Sequence, residues 1–579
     1  MTLYLENLVM KHLRIYIDDR NYMSWQYYDI ETKDVVQLDI QINPYENKLF
    51  NNDIINENGE LVHSYTRDCP TFAGILLLEN NKTFGRTKNK KRVLYKCIPD
   101  DKRLPSFLVP YDLKMGFSKN IQNKYVVFKF DCWDETFPIG TLIEVLGDVT
   151  KLEAFYEYKL FCRNLNESNK EFTKKTHHIF KQDKTEECIQ KILNNPNFII
   201  ENRTNEYIFT IDPKNSLDFD DAFSINRTKT GWKMSVYIAN VFFWMEEFGL
   251  WSSFHKRVST IYLPDRRRPM LPTILSDNLC SLLENHLRFA FCMDVEFDED
   301  NLKNYKVTFS NVLIKVSKNF IYEESSMIKN QQYRELMTLS KKIDSSIENS
   351  HDIVAYWMVF MNKECGNKLS DNKTGIFRTV CSKKNTNSKK MDDITGLSKE
   401  TEQFIKNWNS IYGQYVAFSE EANLEHTLLG IKSYAHVTSP IRRLVDLLNH
   451  IIFFRDFSLV KTLSLDAQNF LQKWLDDVEN INDRIKSVMK VERDCEIIRK
   501  CLTNPHMLEI VHEAIILNIK EHEIDNRTIY KYLLYLEKEK IILSIKSEKK
   551  KDLYCREPIK LYKIESYGVS SKIKVGWYE

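Results

Sequence analysis

The sequence predicts an α+β protein of several domains, in which small β-barrels flank a larger domain of strands and helices. At 579 residues the chain is too long for one ordinary domain. Short alternating runs separated by polar turns recur near both ends, as in small barrels. The middle of the chain mixes strand patterns with long amphipathic helices such as residues 466–500. Hydrophobic residues make up 43% and charged residues 28%, which is an ordinary globular composition.

Five units follow one another along the chain. Residues 1–65 are strand-rich and carry no clear motif, whereas residues 66–170 contain the alternating runs of a first barrel. Residues 171–205 form a helical linker, and residues 206–505 are the largest unit. Residues 506–579 return to strands, which predicts a second small barrel at the C-terminal end.

Charge and cysteine usage exclude several classes of protein. The net charge is only +2, so a nucleic-acid-binding chain has to concentrate its positive charge locally. No run of 18 apolar residues and no signal-peptide pattern is present, so we expect no membrane span. The 12 cysteines include no CxxC pair, which argues against a zinc ribbon and favours reduced thiols. We therefore expect an intracellular, cytoplasmic protein, with a nuclear location left open.

Four aspartates lie within ten residues: Asp212, Asp218, Asp220 and Asp221. An apolar strand pattern precedes the first, and apolar residues alternate with the others. Two carboxylates about 4 Å apart repel by about 4 kcal/mol at an effective dielectric constant near 20. Such a cluster requires protons, arginines or hard cations at neutral pH. Oxygen ligands of this kind suit Mg²⁺.

Two other interpretations of the acidic segment have to be weighed. A calcium-binding loop that starts at Asp218 would need glycine at Phe223 and glutamate at Lys229, so the spacing excludes it. A solvated acidic loop remains an alternative, although such loops seldom alternate aspartates with Phe, Leu and Ala.

A second segment, residues 433–448, combines a predicted helix start with two arginines. Ser439 is suited to the N-cap and Pro440 to the first helical position. The free N–H groups of that turn, beside Arg442 and Arg443, predict an anion site. An ordinary capped helix with surface arginines is the alternative. Tyrosines elsewhere are equally open, because each can stack on a base or belong to the core.

Together these residues resemble the RNB catalytic domain of RNase II, RNase R and the catalytic exonuclease of the eukaryotic exosome. The resemblance lies in ordered sequence blocks spread over about 250 residues. The blocks are 211–222, 262–265, 269–272, 279–282, 320–324 and 434–446.

The flanking units extend the resemblance less specifically. Residues 66–170 look like an OB-type cold-shock barrel, and residues 1–65 like part of another cold-shock domain. Residues 506–579 resemble a degenerate S1 (OB) barrel. In layout the chain resembles the exosome exonuclease without its N-terminal endonuclease domain, for which we expect no room.

The resemblance implies a Mg²⁺-dependent hydrolytic 3′→5′ exoribonuclease that releases nucleoside 5′-monophosphates from single-stranded RNA. Mn²⁺ is an expected substitute for Mg²⁺. The implied metal ligands are Asp212, Asp218, Asp220 and Asp221. The implied catalytic residues are Asp220, Asp221, Arg442 and Tyr322. The implied RNA-binding residues are Tyr262, Tyr322, Arg442, Arg443 and Tyr356.

Some positions depart from the family pattern. Tyr356 stands where the family often has glutamate, which puts a contact with the terminal ribose in doubt. Tyr237 and Asn240 stand where the family usually has histidine and aspartate. The second stacking aromatic of the family cannot be placed. These departures keep an alternative open, an RNB-like RNA-binding regulator with weakened or no catalysis. We expect a monomer; protein partners in RNA decay cannot be identified from the sequence.

Overall fold

The computed structural model confirms an α+β protein of several domains. It describes residues 12–578, with gaps whose positions are 38–41, 80–81, 90, 114–120, 181–184, 381–400, 402–403, 406–412, 428, 525–526 and 567–569. Eleven cysteines of the described part are free thiols. Within these described ranges, no helix combines the length and apolar character that crossing a bilayer requires.

The N-terminal unit is an antiparallel sheet of five strands in the order β3-β2-β1-β4-β5. Its strands are β1 (His12–Ile17), β2 (Trp25–Asp29), β3 (Val35–Val36), β4 (Ile54–Asn56) and β5 (Leu61–His63), followed by helix α1 (Tyr65–Asp68). Alternate residues of β1 are buried, as expected for a strand with one face on a core.

The next unit is a closed five-stranded barrel in the order β10-β8-β7-β6-β9. Its strands are β6 (Phe72–Leu76), β7 (Val93–Pro99), β8 (Phe107–Tyr111), β9 (Lys124–Cys132) and β10 (Ile139–Asp148). The rings of Phe50 and Phe107 stack 6.0 Å apart, so the N-terminal sheet and the barrel share one apolar core. Three helices then lead onward: α2 (Leu152–Phe161), α3 (Lys170–Ile179) and α4 (Thr185–Asn194).

The central unit is built on a six-stranded sheet in the order β11-β18-β12-β13-β14-β17, which closes through a further pairing of β17 with β18. Its strands, with two short hairpins, are β11 (Glu201–Asn202), β12 (Ile208–Asp212), β13 (Asp221–Arg227), β14 (Gly231–Ala239), β15 (Ile261–Tyr262), β16 (Arg267–Arg268), β17 (Leu287–Asp298), β18 (Tyr305–Ile321), β19 (Ile376–Thr379) and β20 (Gln414–Ala417).

Helices cover this sheet and bury a large aromatic core. They are α5 (Phe242–Glu247), α6 (Ser325–Lys329), α7 (Gln331–Ile343), α8 (Ser350–Asp371), α9 (Leu444–Asp456), α10 (Leu465–Leu475) and α11 (Val478–Thr503). The long helix expected over residues 466–500 is in fact two helices, because the chain turns at Asp476 and Asp477 between α10 and α11.

The C-terminal unit is an antiparallel sheet of five strands in the order β23-β22-β21-β24-β25. Its strands are β21 (Val511–Ile524), β22 (Arg527–Leu536), β23 (Ile541–Ser547), β24 (Arg556–Ser566) and β25 (Ser570–Trp577). Its buried residues join one apolar cluster with α2, α11 and residues of the first barrel. Helix α11 therefore connects the two flanking units.

Helix α8 supports the segment that carries the two arginines, and the contact depends on one glycine. A Cβ atom on Gly366 would lie 2.6 Å from the carbonyl oxygen of Ser433 and 2.9 Å from the backbone nitrogen of Ala435. One turn away, the Asn362 carboxamide accepts a hydrogen bond of 2.8 Å from the Val437 backbone N–H. The helix and the segment thus meet backbone to backbone.

We predict that Gly366→Ala destabilises the fold, because the methyl group overlaps backbone atoms that cannot move independently. The expected loss is about 1–3 kcal/mol in the free energy of unfolding, the usual cost of overpacking. Denaturant unfolding followed by circular dichroism measures it. Asp371→Ala, at the exposed C-terminal end of the same helix, is the control and should change little; an equally stable Gly366→Ala protein would contradict this packing.

Candidate active site

The strand pairing of the central sheet brings the acidic segment beside the tyrosine block. Asp212 ends β12 and Asp221 begins β13, and these strands are antiparallel neighbours. On its other side β12 runs parallel to β18, with Asp212 opposite Ile321. The Tyr322 backbone N–H donates to the Asp212 carbonyl oxygen at 3.1 Å. Residues distant in sequence therefore meet at one edge of the sheet.

The loop between β12 and β13 is held by the Leu-Cys-Ser-Leu block at 279–282. The Ser281 hydroxyl accepts from the Phe219 backbone N–H at 3.0 Å and donates to the Leu217 carbonyl at 2.9 Å. The Leu282 backbone N–H donates to the Phe219 carbonyl at 3.0 Å. These bonds fix the backbone that presents the aspartates on either side of Phe219. The sequence marked this block only through the family resemblance.

Asp220 is buried, with 4% of its surface exposed, and it is neutralised by Arg442. One carboxylate oxygen accepts from Arg442 Nε at 2.9 Å, and the other accepts from the Ile441 backbone N–H at 3.2 Å. Burial raises the pKa of Asp220 to about 7, even though the Arg442 charge acts to lower it. The side chain of Arg442 is 43% exposed, so its outer guanidinium edge is accessible.

Asp218 has a second guanidinium partner. Arg267 Nη1 lies 2.6 Å from Asp218, and Nη2 of the same side chain lies 2.6 Å from Asp277. The Tyr262 hydroxyl lies 3.4 Å from the other oxygen of Asp218. Arg267 could not be identified from the sequence, because it is the middle of three consecutive arginines and nothing local distinguishes it from its neighbours.

Among the four clustered aspartates, Asp212 and Asp221 have unsatisfied oxygens. Each has a buried Oδ2 atom without a hydrogen-bond partner. Burial raises the pKa of both carboxyl groups, and the charge of Asp212 raises that of Asp221 further. With all four acids ionised, the two arginines cannot balance their charge, because Arg267 is also shared with Asp277. This pair therefore invites protons or a cation.

The donor chemistry of the cluster fits Mg²⁺. In the part of the chain that the structure describes, no three acid, histidine or cysteine side chains come together as a metal cage. Mg²⁺ does not require one, since proteins usually bind it through one or two carboxylates together with waters and substrate phosphates. Asp212 and Asp221 supply such a pair, whereas Asp218 and Asp220 are held by arginines.

The expected helix start at Pro440 is wrong. Residues 440–442 form a turn, and α9 begins at Leu444. The chain cannot continue as a helix here because the Thr260 N–H donates to the Arg442 carbonyl at 2.9 Å and the Leu444 N–H to the Val258 carbonyl at 2.9 Å. The anion that the turn binds is the protein's own Asp220, through the Ile441 N–H.

The other expected RNA-binding residues differ in their exposure and in their contacts. Tyr262 is 48% exposed, and its backbone N–H donates to Glu492 Oε1 at 2.7 Å. Tyr322 is half-buried, and burial together with Asp221 and Asp212 raises its pKa. Arg443 instead points inward to the fully buried Asp446, at 2.8 Å.

Three positions that depart from the family pattern have structural contacts. Tyr237 is buried and donates to Glu206 at 2.7 Å. Asn240 is buried, and its oxygen accepts from the Phe243 N–H at 3.2 Å near the start of α5. Tyr356 packs against the rings of Trp357 and Phe360. Burial, together with the charge of Asp344, raises the pKa of Tyr356 to about 12. The four clustered aspartates do not contribute to this shift.

Comparison with protein families finds two matching domains. The RNB domain matches over residues 201–345 and 329–455, which span the sheet, the acidic loop and the arginine turn. The Dis3-like cold-shock domain 2 (CSD2) matches over residues 94–158, which include four of the five barrel strands, β7 to β10, and most of α2. Both families agree with the resemblance that the sequence blocks indicated.

Individual relatives agree with these domains. Ribonuclease R of Aquifex aeolicus is 30% identical over 292 residues, which are 46% of this chain and 37% of that protein. The chain thus spans little more than a third of this relative. The apo form of Mycoplasma genitalium RNase R has a similar fold, with a TM-score of 0.64 at 17% identity, over 97% of this chain and 99% of the other. Yeast Ssd1, described as a pseudonuclease, has a TM-score of 0.53 at 13% identity, over 93% and 78%.

The raised pKa values predict how the metal-free protein responds to pH. Between the ordinary pKa of 3.8 and the native value of about 7, folded Asp220 binds more protons than the unfolded chain, so stability falls as pH rises through this interval. Asp221→Asn removes one repelling charge. In EDTA at pH 8 it should raise the melting temperature by roughly 1–2 °C, somewhat less than about 1 kcal/mol produces in a smaller domain.

Differential scanning calorimetry from pH 5 to pH 8 measures both the stability and its slope. The slope should be shallower in Asp221→Asn than in the wild type. Asp483→Asn changes a side chain that is 75% exposed and is the matched control. A variant that melts lower than wild type at pH 8 would contradict the repulsion described here.

Proposed function

We propose that this chain, an RNB-domain protein by sequence and fold, is a hydrolytic 3′→5′ exoribonuclease that degrades single-stranded RNA to nucleoside 5′-monophosphates. One observation carries the proposal. Two buried carboxylates with unpartnered oxygens, Asp212 and Asp221, lie beside Asp220, whose arginine partner keeps an accessible outer edge. A protein that only binds RNA gains nothing from burying acids where a phosphate must approach.

The proposed cofactor is Mg²⁺, with Mn²⁺ as a substitute. Asp212 and Asp221 would hold it, with Asp218 and Asp220 at the edge of the same site. Bound there, such an ion offsets negative charge on the attacking and leaving oxygens of a phosphodiester and lowers the pKa of water. The unpartnered oxygens and the all-oxygen donor set support this assignment.

Arg442 is proposed to stabilise charge that develops on the scissile phosphate. Its Nε is fixed by Asp220, so the guanidinium keeps one orientation. Its outer edge would then contact the non-bridging oxygens of the phosphate. Asp220 thus orients the arginine as well as contributing charge. Tyr322, tied through its backbone to Asp212, is proposed to contact the terminal nucleotide.

Tyr262 is proposed to stack on a base. Its ring is half-exposed beside Asp218, and its backbone is fixed by Glu492, so the platform is presented rigidly at the rim of the site. Contacts of Arg443 and Tyr356 with RNA remain predictions. The Arg443 side chain pairs with Asp446, and the Tyr356 ring packs against the aromatic core. We therefore propose that both residues act by supporting the site.

A non-catalytic RNA-binding regulator is the second candidate. The fold likeness to yeast Ssd1, described as a pseudonuclease, favours it. The intact ion pair of Arg442 with Asp220 and the unsatisfied pair of acids favour the enzyme, because a regulator has no use for either.

The two candidates give different results with 5′-labelled single-stranded RNA. We predict that the wild type with Mg²⁺ produces a shortening ladder and 5′-monophosphates, and that EDTA stops it. Asp220→Asn and Arg442→Lys should each lower the rate at least about 10²-fold, as loss of one group that stabilises transition-state charge does. Denaturing gels and chromatography of the products measure these outcomes.

Arg455→Lys, at a side chain 45% exposed, is the matched control for Arg442→Lys and should leave the rate unchanged. A single-stranded DNA of the same sequence tests sugar choice, because only RNA offers the 2′-hydroxyl. RNA that is bound but never shortened by the wild type, with or without Mg²⁺ or Mn²⁺, would establish the regulator instead.

A further inference from the structure

Tyr322 has an aromatic partner that the sequence did not reveal. The imidazole of His351 lies flat on its ring, with the ring centroids 3.7 Å apart and the planes 10° from parallel. His351 is exposed and lies in the first turn of α8, whereas Tyr322 follows β18. The stack therefore joins two elements at the mouth of the candidate site.

The stack is held by a set of hydrogen bonds directly beneath it. Glu323, in a left-handed conformation with φ of 56°, accepts from the Ser350 backbone N–H at 2.8 Å and from the Ser350 hydroxyl. Asn349 and Asp352 form a capping box that fixes the start of α8. The turn that carries Tyr322 and the helix turn that carries His351 thus form one rigid unit.

The covered face limits what Tyr322 can do. The imidazole blocks one side of the phenol ring, so a nucleotide can approach only the opposite face and the hydroxyl edge. Rotation of the ring toward α8 is blocked by the same contact. The phenol is therefore kept beside Asp212 and Asp221, whose charges reach it.

We propose that His351 is a positioning residue for the 3′-terminal nucleotide and that it acts through Tyr322. This inference rests on the proposed exoribonuclease function and adds a residue to it. His351, rather than Tyr356, is the residue of α8 whose ring contacts Tyr322. The two residues are five positions apart on α8, about 140° around the helix axis at 3.6 residues per turn. Only His351 has its ring against Tyr322, whereas Tyr356 packs against Trp357 and Phe360.

The test compares His351→Ala with His351→Phe, which keeps a flat ring. We expect His351→Ala to lower kcat on single-stranded RNA about tenfold with KM within about twofold, since misplacing a reacting group costs rate rather than binding. His351→Phe should recover to within about threefold of wild type. In a Tyr322→Leu background the alanine substitution should have no additional effect, because coupled residues are not additive.

A second measurement does not depend on turnover. A single-stranded RNA with 2-aminopurine at its 3′ end is bound in EDTA, and its fluorescence quenching is compared among the same proteins. Quenching should fall by about half or more in His351→Ala and be retained in His351→Phe. If the wild type fails to shorten RNA, the proposed function fails, and this probe alone then decides the role of His351.

The proposal is overturned by several results. One is a His351→Ala protein that matches the wild type in both kcat and quenching. Another is an alanine substitution that lowers kcat further in the Tyr322→Leu background. Failure of phenylalanine to restore the alanine defect also overturns it, since the proposal requires a flat ring. Thermal unfolding of each variant verifies folding, which we expect to be unaffected because His351 is exposed.

Discussion

Buried carboxylates repel one another, and the central domain is arranged so that arginine side chains offset part of that repulsion. Asp220 is buried against the guanidinium of Arg442, more than 200 residues later in the chain, and a backbone N–H of the same turn completes the contact. Breaking such a pair would leave an uncompensated buried charge, so each partner depends on the other. The turn at Pro440 and the acidic loop are therefore one unit. Arg267 forms a corresponding ion pair with Asp218.

The two carboxyl groups that have no arginine partner among the described residues give the site its proposed chemistry. Asp212 and Asp221 end one strand and begin the next, and strand pairing holds them together whether or not their charges repel. Strand pairing thus holds the two carboxyl groups close despite their electrostatic repulsion. Burial raises the pKa values of both, and the charge of Asp212 adds to the shift of Asp221. Raised pKa values of this kind are typical of functional sites. In the proposed function, a phosphodiester approaching this edge would meet the outer edge of Arg442, the exposed ring of Tyr262 and the phenol of Tyr322.

The sequence predicted which acidic residues come together better than it predicted the elements around them. The four aspartates were recognisable because they alternate with apolar residues, a local pattern. The fold class was predictable for the same reason, since strand and helix periodicities are local. The true helix start was not, because the Val258 carbonyl accepts from the Leu444 N–H and the Arg442 carbonyl from the Thr260 N–H, which overrides good capping residues at 439 and 440. Arg267 and His351 escaped prediction because a hairpin and the phase of α8 bring them to the site, and no spacing in the sequence encodes either.

The central claim is that the acid pair holds protons which a divalent ion displaces. Isothermal titration of Mg²⁺ into the protein at pH 7, in two buffers of different ionisation enthalpy, tests it most directly. Burial raises the pKa values of Asp212 and Asp221 well above the usual range for aspartate, so these acids must release protons when a metal binds. The account predicts saturable binding with net proton release in the wild type, and loss of both in Asp221→Asn. Absence of binding, or a binding enthalpy identical in the two buffers, would contradict it.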